Sequence, residues 1–288
     1  MTSVLSWNIQ NGKGCDGKIS LERIAAVIGA MGTPDIICLQ EVSRGLVLEE
    51  GSAAPDQVAE LQQLFPDYEI AFGVAFEART PGKSERWQYG NAILTKMPLL
   101  MMLAHPLPRP GVENIRHMTR QATEVVVEDD SGPLRIVNTH LEFHSAIHRM
   151  AQVDRLRDLQ REAIEETTMP PLTSASGPYQ QVARPVDAIY CGDFNMAPGS
   201  EEYRRLLAPL AGEAEPFIDA WLQLYPDREH DPTCGIHDHE QWPEGPHCRD
   251  FFFAAGRCTA CLRALRVDAK TDASDHQPLM LELGGLSI

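Results

Sequence analysis

The sequence is short of positive charge: 25 Lys and Arg face 41 Asp and Glu, a formal balance of −16. That excludes a protein that coats nucleic acid through a broad basic surface, because phosphate binding draws on clustered cations. No apolar run approaches the ~20 residues that a membrane helix needs. Residues 1–3 lead straight into the strand-like Val4-Leu5-Ser6-Trp7, without a basic or cleavable apolar leader, so a cytoplasmic location is expected. Seven cysteines, an odd number, do not make a disulfide framework, and Cys38 and Cys191 lie in apolar runs where a thiol behaves as a small hydrophobe. Cys234, His237, His239, His247, Cys248, Cys258 and Cys261 gather in the last third, but with one CxxC pair their spacing matches no zinc ribbon. Long linkers, low-complexity tracts and internal periods are also missing. Residues 1–288 therefore read as one domain, and a chain that is 43% hydrophobic can bury a substantial core.

What is present is an alternation of short apolar strands with helical patterns. Residues 4–9 read as a strand. Leu21, Ile24, Ala25, Ile28 and Met31 share one helical face before Thr33-Pro34 ends it, and 35–40 is a second buried strand. After a helix near 56–64, strands are expected at 68–72, 90–95 and 99–104; two more, at 123–127 and 134–141, flank the turn-like Asp129-Asp130-Ser131-Gly132 as a hairpin. Met150, Val153, Leu156, Ala163 and Ile164 lie on one side of a helix over 145–166, and 169–185 reads as a mobile loop. The last third holds a strand at 188–191, helices opening near Ser200 and around 217–224, and strands at 250–254, 262–267 and 278–283. This order implies an α/β fold of the α+β kind, two mixed sheets packed face to face with helices outside.

Strand after strand finishes on a carboxylate, amide or imidazole where an apolar residue would suffice. Asn8 closes the first, Glu41 the second and His140 the run Ile136-Val137-Asn138-Thr139. Asp193 and Asn195 follow Ile189-Tyr190-Cys191-Gly192, and Asp275-His276 precede Pro278-Leu279-Met280-Leu281. Sheets fix such groups in place while the adjoining loops leave them accessible. Singly, each has a structural use: a turn start for Asp193, a cap for Asn195, a core histidine for His140, a surface acid for Glu41. Together they supply three acids for a hard divalent cation, two amides and an imidazole for phosphate oxygens, and a further histidine able to act as base near neutral pH. That inventory matches metal-assisted phosphoester hydrolysis. Between residues 79 and 120, seven bases meet two acids, a local +5 that is either a solvated basic loop or a funnel for an anionic substrate.

Six motifs carry a resemblance that spans nearly the whole chain: Ser6-Trp7-Asn8-Ile9, Asp35-Ile36-Ile37-Cys38-Leu39-Gln40-Glu41-Val42, Gly90-Asn91-Ala92-Ile93-Leu94, Asn138-Thr139-His140-Leu141, Gly192-Asp193-Phe194-Asn195 and Ser274-Asp275-His276. In this order they resemble the endonuclease/exonuclease/phosphatase superfamily, which includes apurinic endonucleases, the deoxyribonuclease I type, neutral sphingomyelinases, inositol polyphosphate 5-phosphatases and tyrosyl-DNA phosphodiesterases. The resemblance implies a four-layered, deoxyribonuclease I-like sandwich and a Mg2+ or Mn2+ cofactor. It implies Glu41 as principal metal ligand with Asn8 and Asp275 beside the ion, His276 polarising the attacking water, and Asp250 orienting that histidine. Asp193 and Asn195 would flank the reacting phosphate, and His140 would donate to its non-bridging oxygens. Arg120, in Thr119-Arg120-Gln121-Ala122, resembles a strand arginine that either touches phosphate or pairs with an internal acid; Asn91 either supports the substrate site or satisfies neighbouring backbone. Two departures stand beside Asp250: Cys248 where many relatives carry arginine, and Phe251 where tyrosine is common.

The chemistry agrees without that comparison. A phosphodiester anion repels a nucleophile, so the site needs a cation, an aligned water and donors for the phosphate oxygens. Glu41 offers a hard oxygen ligand, and a His276 held by Asp250 is fixed in one tautomer and made more basic. Asp193 acts on the nucleophile or carries a proton to the leaving oxygen, and these two roles stay open. The acidic balance lowers the weight of a processive DNA enzyme. A zinc finger, a helix-turn-helix and a basic tail are absent from the pattern, as are the basic signatures of inositol phosphatases and a hairpin of bare aromatics for lipid entry. The expected function is a magnesium-dependent phosphodiesterase or phosphatase, its substrate a small molecule or a nucleic acid. A repair-type nuclease is the alternative. A non-catalytic relative that binds a phosphorylated ligand is disfavoured by the complete set of acids and histidines, and no obligatory protein partner is evident.

Overall fold

The computed structural model describes residues 1–47, 55–80, 85–172, 174, 176–177, 179–180, 182–210 and 217–285. Strand β1 (Thr2–Asn8) is followed by a 3-10 turn, helix α1 (Leu21–Ala30), β2 (Ile36–Arg44), α2 (Gln57–Leu64), the antiparallel pair β3 (Glu69–Arg79) and β4 (Arg86–Thr95), and β5 (Leu99–Pro106). The hairpin β6 (Gln121–Asp129) and β7 (Gly132–His140) leads into α3 (Ala146–Thr168), β8 (Ala188–Asp193), α4 (Glu201–Leu207), β9 (Ile218–Asp219) and α5 (Ala220–Leu224). The chain then runs through β10 (Asp250–Ala255), the one-turn α6 (Cys258–Cys261), β11 (Leu262–Val267) and β12 (Leu279–Leu283). Ser145, Ser200 and Asp56 cap α3, α4 and α2 through their side chains, which is why those starts are legible in sequence.

Two six-stranded sheets form, in the orders β11-β12-β1-β2-β4-β3 and β5-β6-β7-β8-β10-β9. Each has a parallel pair at its centre, β1 with β2 and β7 with β8, among antiparallel neighbours. Buried on both faces, the central strands read as near-continuous apolar runs. Their inner faces share one core that includes Val4, Ile93, Val125, Ile136 and Phe252. Outside, Leu5, Trp7 and Leu39 pack under α1 and α2, while Val137, Tyr190 and Phe253 pack under α3 and α4. Helix, sheet, sheet, helix is the expected four-layered sandwich.

The differences from expectation have local causes. Helix 217–224 is instead a two-residue strand followed by α5, because Asp219 Oδ1 accepts from the N–H groups of Trp221 and Leu222 and so starts the helix at Ala220. Strands β3 and β4 run well past 72 and back from 90, across Glu77, Arg79, Arg86 and Gln88, whose polarity hides the strand. Arg86 forms a cross-strand ion pair with Glu77, and Gln88 donates to the same carboxylate. Cys258 and Cys261 form α6 beneath the inter-sheet core, and every cysteine is a free thiol. Of the 169–185 segment, residues 173, 175, 178 and 181 lie outside the described residues. Among the described residues no helix is long and apolar enough to cross a membrane.

Two buried polar groups tie the layers. Asn138 of β7 donates through Nδ2 to the carbonyls of Leu39 and Ala92 in the opposite sheet, both at 3.0 Å, and its Oδ1 accepts from Gln40 Nε2 at 2.7 Å. Asn138→Ala should cost about 2–4 kcal/mol in denaturant unfolding, since it strands these buried partners. Glu124 of β6 is fully buried, with Arg184 Nε at 2.7 Å, His105 Nε2 at 3.2 Å and Arg135 Nη1 at 3.4 Å. Burial opposes its ionisation, but these three cations and donors outweigh it and hold the carboxyl down to about 2, against an ordinary 4.5. The resulting stability is complete above about pH 4.5 and is lost as pH falls toward 2, on the order of 3 kcal/mol. Urea midpoints measured from pH 6 to pH 2 should show this slope, and Glu124→Gln should flatten it.

Candidate active site

The two central parallel pairs end at the same edge of the sandwich. In their registers Asn8 lies opposite Gln40, and His140 lies opposite Asp193. Gly192 makes the second pairing close: its φ is +136°, and a Cβ there would sit 1.8 Å from the Thr139 carbonyl. Glu41 does not close its strand as the sequence implied. It lies inside β2 at a bulge, where pairing with β4 slips between Leu39 and Val42, and its φ of +59° is uncommon for a residue with a side chain. The Ser274-Asp275-His276 segment is pinned to β1, with Ser274 Oγ donating to the Asn8 carbonyl and Trp7 Nε1 donating to the His276 carbonyl.

These elements bring eight of the expected residues onto one cleft of about 190 Å3: Asn8, Glu41, Arg120, His140, Asp193, Asn195, Asp275 and His276. Asp193 is the hub. Its Oδ2 accepts from Asn8 Nδ2 at 3.1 Å and lies 3.3 Å from His140 Nε2 and 3.7 Å from His276 Nε2; its Oδ1 accepts from the Asn195 N–H at 2.9 Å. Asn8 Nδ2 also reaches Glu41 Oε1 at 3.2 Å, which stands 3.9 Å from His140 Nδ1. Asp250 sits behind the cleft wall, its Oδ2 2.8 Å from His276 Nδ1 and accepting from Thr233 Oγ1 at 2.6 Å. Asn91 does not reach the cleft. Its Nδ2 donates to the Gln121 carbonyl across the inter-sheet seam, the backbone-satisfying alternative.

Burial alone would lower the His276 imidazole, but the carboxylates of Asp250, Asp193 and Asp275 outweigh it and raise its pKa well above the ordinary range. His140 goes the other way: burial, with Arg120 and His276 adding, holds it well below that range and so neutral at pH 7. Glu41 is raised by burial and by the nearby charge of Asp275, and Asp193 is raised chiefly by burial. Arg120, 5% exposed, stands 3.7 Å from Glu142 Oε2, while its Nε and Nη1 have no hydrogen-bond partner. Both readings of that arginine thus have a basis, a loose internal ion pair and free donors facing an anion site.

The site fits a hard cation. Glu41 and Asp275 press like charge together beside the cleft, and such carboxylate oxygens suit Mg2+ or Mn2+; Asn8 stands with them, its Nδ2 on Glu41 and its Oδ1 accepting from the Gln10 N–H. A second seat is geometrically close: Asp193, Asp250 and His276 place ligand atoms within 4.8 Å of one another. There Asp250 Oδ2 is engaged by both Thr233 and His276, as holding an imidazole requires, while its buried Oδ1 has no hydrogen-bond partner. Sequence reasoning missed Trp242, whose Nε1 donates to Asp275 Oδ2 at 3.3 Å and whose ring meets His276 edge-on at 5.5 Å. It lies in an irregular loop with no periodicity to flag it. Of the basic stretch, Arg116 and Arg120 reach the cleft; Arg86 is paired with Glu77, Lys96 donates to the Thr33 carbonyl, and Lys83 lies outside the described residues.

Residues 5–276 match the sequence profile of the Endonuclease/Exonuclease/phosphatase family. The chain belongs to this family. The activities in the family's name, endonuclease, exonuclease and phosphatase, are all cleavages of phosphoester bonds. Among solved structures, the endonuclease/exonuclease/phosphatase from Beutenbergia cavernae is 24% identical, with a TM-score of 0.71 over 99% of this chain and 72% of that one. The family protein from Bacteroides vulgatus is 18% identical, with a TM-score of 0.67 over 98% of each chain. Truncated Caenorhabditis elegans TDP2 is 20% identical, with a TM-score of 0.61 over 98% of this chain and 97% of that one. At these identities the likeness carries the family's fold. No curated protein matches the chain in sequence.

The Asp250 contact makes a direct prediction about His276. In an NMR pH titration its imidazole should titrate well above the ordinary 6.5, and Asp250→Asn should bring it down by removing the largest of the raising charges. An unchanged titration in Asp250→Asn would overturn the assignment of cause.

Proposed function

We propose that this protein is a divalent-metal-dependent phosphoester hydrolase, with Mg2+ or Mn2+ as the cofactor and water as the nucleophile. The observation that carries this reading is the convergence on one cleft of Glu41 from β2, Asp193 from β8 and His276 from the segment before β12. When bound by Glu41 with Asn8 and Asp275, the cation supplies charge neutralisation to the phosphate.

The chain's own residues do the rest. His276 accepts the proton of the attacking water at Nε2, and Asp250 on Nδ1 fixes the tautomer that leaves Nε2 free. Asp193, 3.7 Å from that nitrogen, aligns a water that hydrogen-bonds to both. Asn195 keeps Asp193 in place through its backbone N–H. His140, neutral because burial disfavours its cation, presents an N–H to a non-bridging oxygen without attracting the base's proton. The unpartnered Nε and Nη1 of Arg120 supply further donors.

Purified protein with Mg2+ should hydrolyse bis(p-nitrophenyl) phosphate, and chelation should stop it. Glu41→Ala and His276→Ala should each lower kcat a hundredfold or more, on the order expected for loss of a metal ligand or a base. Because the His276 pKa is raised, its basic form fills as pH rises, so kcat should climb on the alkaline side and Asp250→Asn should move that limb to lower pH. Turnover that survives chelator, or near-wild-type kcat in His276→Ala, would sink the reading.

A further inference from the structure

Beside the phosphate cleft lies a second pocket of about 340 Å3, and the two share His117 and Met118 along their common wall. Its lining is aromatic. Trp87 and Tyr89 alternate on β4 along the face that, two residues further, carries Asn91 into the inter-sheet seam, and Phe76 is the cross-strand neighbour of Tyr89. Phe76 and Trp87 meet edge-to-face at 5.1 Å. Phe76 is 43% and Met118 44% exposed, so two large apolar side chains face solvent next to charged catalytic groups. Arg109 and Thr119, joined at 3.3 Å, stand at the rim. The bare aromatics that the sequence did not reveal are thus on the extended β3–β4 pair.

Contacts along the cleft floor connect the base to this pocket. His276 Nε2 lies 3.7 Å from Asp193, Asp193 lies 3.3 Å from His140, and the other nitrogen of His140 lies 3.9 Å from Glu41. The Tyr89 phenol lies against the Glu41 carboxylate at the end of that line, while its ring faces the second pocket. If water enters from the His276 end, in-line displacement sends the departing oxygen toward Glu41 and Tyr89.

We propose that the aromatic pocket receives the leaving group, and that the substrate class is a phosphoester whose departing alcohol carries an aromatic ring. This rests on the hydrolytic reading above. The water oxygen forms the new P–O bond and its proton passes to His276 Nε2. The P–O bond to the aromatic alcohol breaks, its electron pair stays on the departing oxygen, and an aryloxide leaves. Roughly 150 Å3 suffices to hold a benzene ring, so the pocket accepts one ring with room for a substituent.

Calorimetric titration of phenylphosphonate and methylphosphonate in Mg2+ tests the pocket independently of turnover. The wild type should bind the phenyl compound about tenfold or more tightly than the methyl one, as burial of a ring requires. Trp87→Ala and Phe76→Ala should reduce that preference to threefold or less and leave the methylphosphonate Kd within twofold. Phe76 is partly exposed, so its variant keeps the test open should Trp87→Ala fail to fold. Equal affinities in the wild type, or a preference that both variants retain, overturns the proposal. If that happens while bis(p-nitrophenyl) phosphate is still cleaved, the pocket assignment alone falls; loss of metal-dependent turnover in the wild type removes the hydrolytic reading and this proposal with it.

Discussion

The Asn138 side chain crosses the seam between the two sheets and commits both N–H groups and its carbonyl oxygen to the opposite sheet, at Leu39, Ala92 and Gln40. It sits two residues before His140, and its partner Gln40 immediately precedes Glu41. Apolar packing sets how far apart two sheets lie but leaves them free to slide, because it has no direction. A fully satisfied buried amide is directional, and a slip of one residue would strand its carbonyl and N–H partners. This contact thereby fixes the offset between the sheet that contributes Asn8 and Glu41 and the sheet that contributes His140, Asp193 and Asp250.

With that offset fixed, the cleft becomes an ordered set of charges. Acids and imidazoles alternate along it, with Glu41, Asp193, Asp250 and Asp275 around the two histidines, and those histidines are pushed in opposite directions. His276 is drawn toward its cation by the carboxylates around it, which outweigh burial; His140 is kept neutral chiefly by burial, with Arg120 and His276 adding. Two imidazoles a few ångströms apart are thus suited to different tasks by surroundings rather than by identity. The same crowding of carboxylates in a buried cleft favours the arrival of a divalent cation. The net charge of −16 is no obstacle to an anionic ligand at such a centre, since Arg116 and Arg120 line the cleft and set the local field there.

Periodicity, caps and turn residues made most of the fold legible in the chain. The apolar runs at 4–9, 35–40, 188–191 and 262–267 correspond to strands, and Ser145, Ser200 and Asp56 announce helix starts, because these signals act over a few neighbouring residues. Polar strand ends likewise picked out the residues that meet at the cleft. Legibility failed where a distant contact supplied what local sequence did not. The outer halves of β3 and β4 are polar and persist through pairing across the strands, and the helix around 217–224 is cut short by one capping aspartate.

The amino-acid order by itself determined the kinds of chemistry available and the layering: which segments must be buried, and which acids, amides and histidines stand at strand ends. Tertiary structure alone decided that Glu41 projects from a bulge, that Asn91 ties the seam, that Trp242 lines the cleft and that Tyr89 lines the pocket beside it. The reason is range. Burial and helix capping depend on neighbours within a turn or a strand, whereas a hydrogen bond between His276 and Asp250, or a pKa shift between Glu41 and Asp275, exists only after residues far apart in the chain have been brought within a few ångströms by the closing of two sheets.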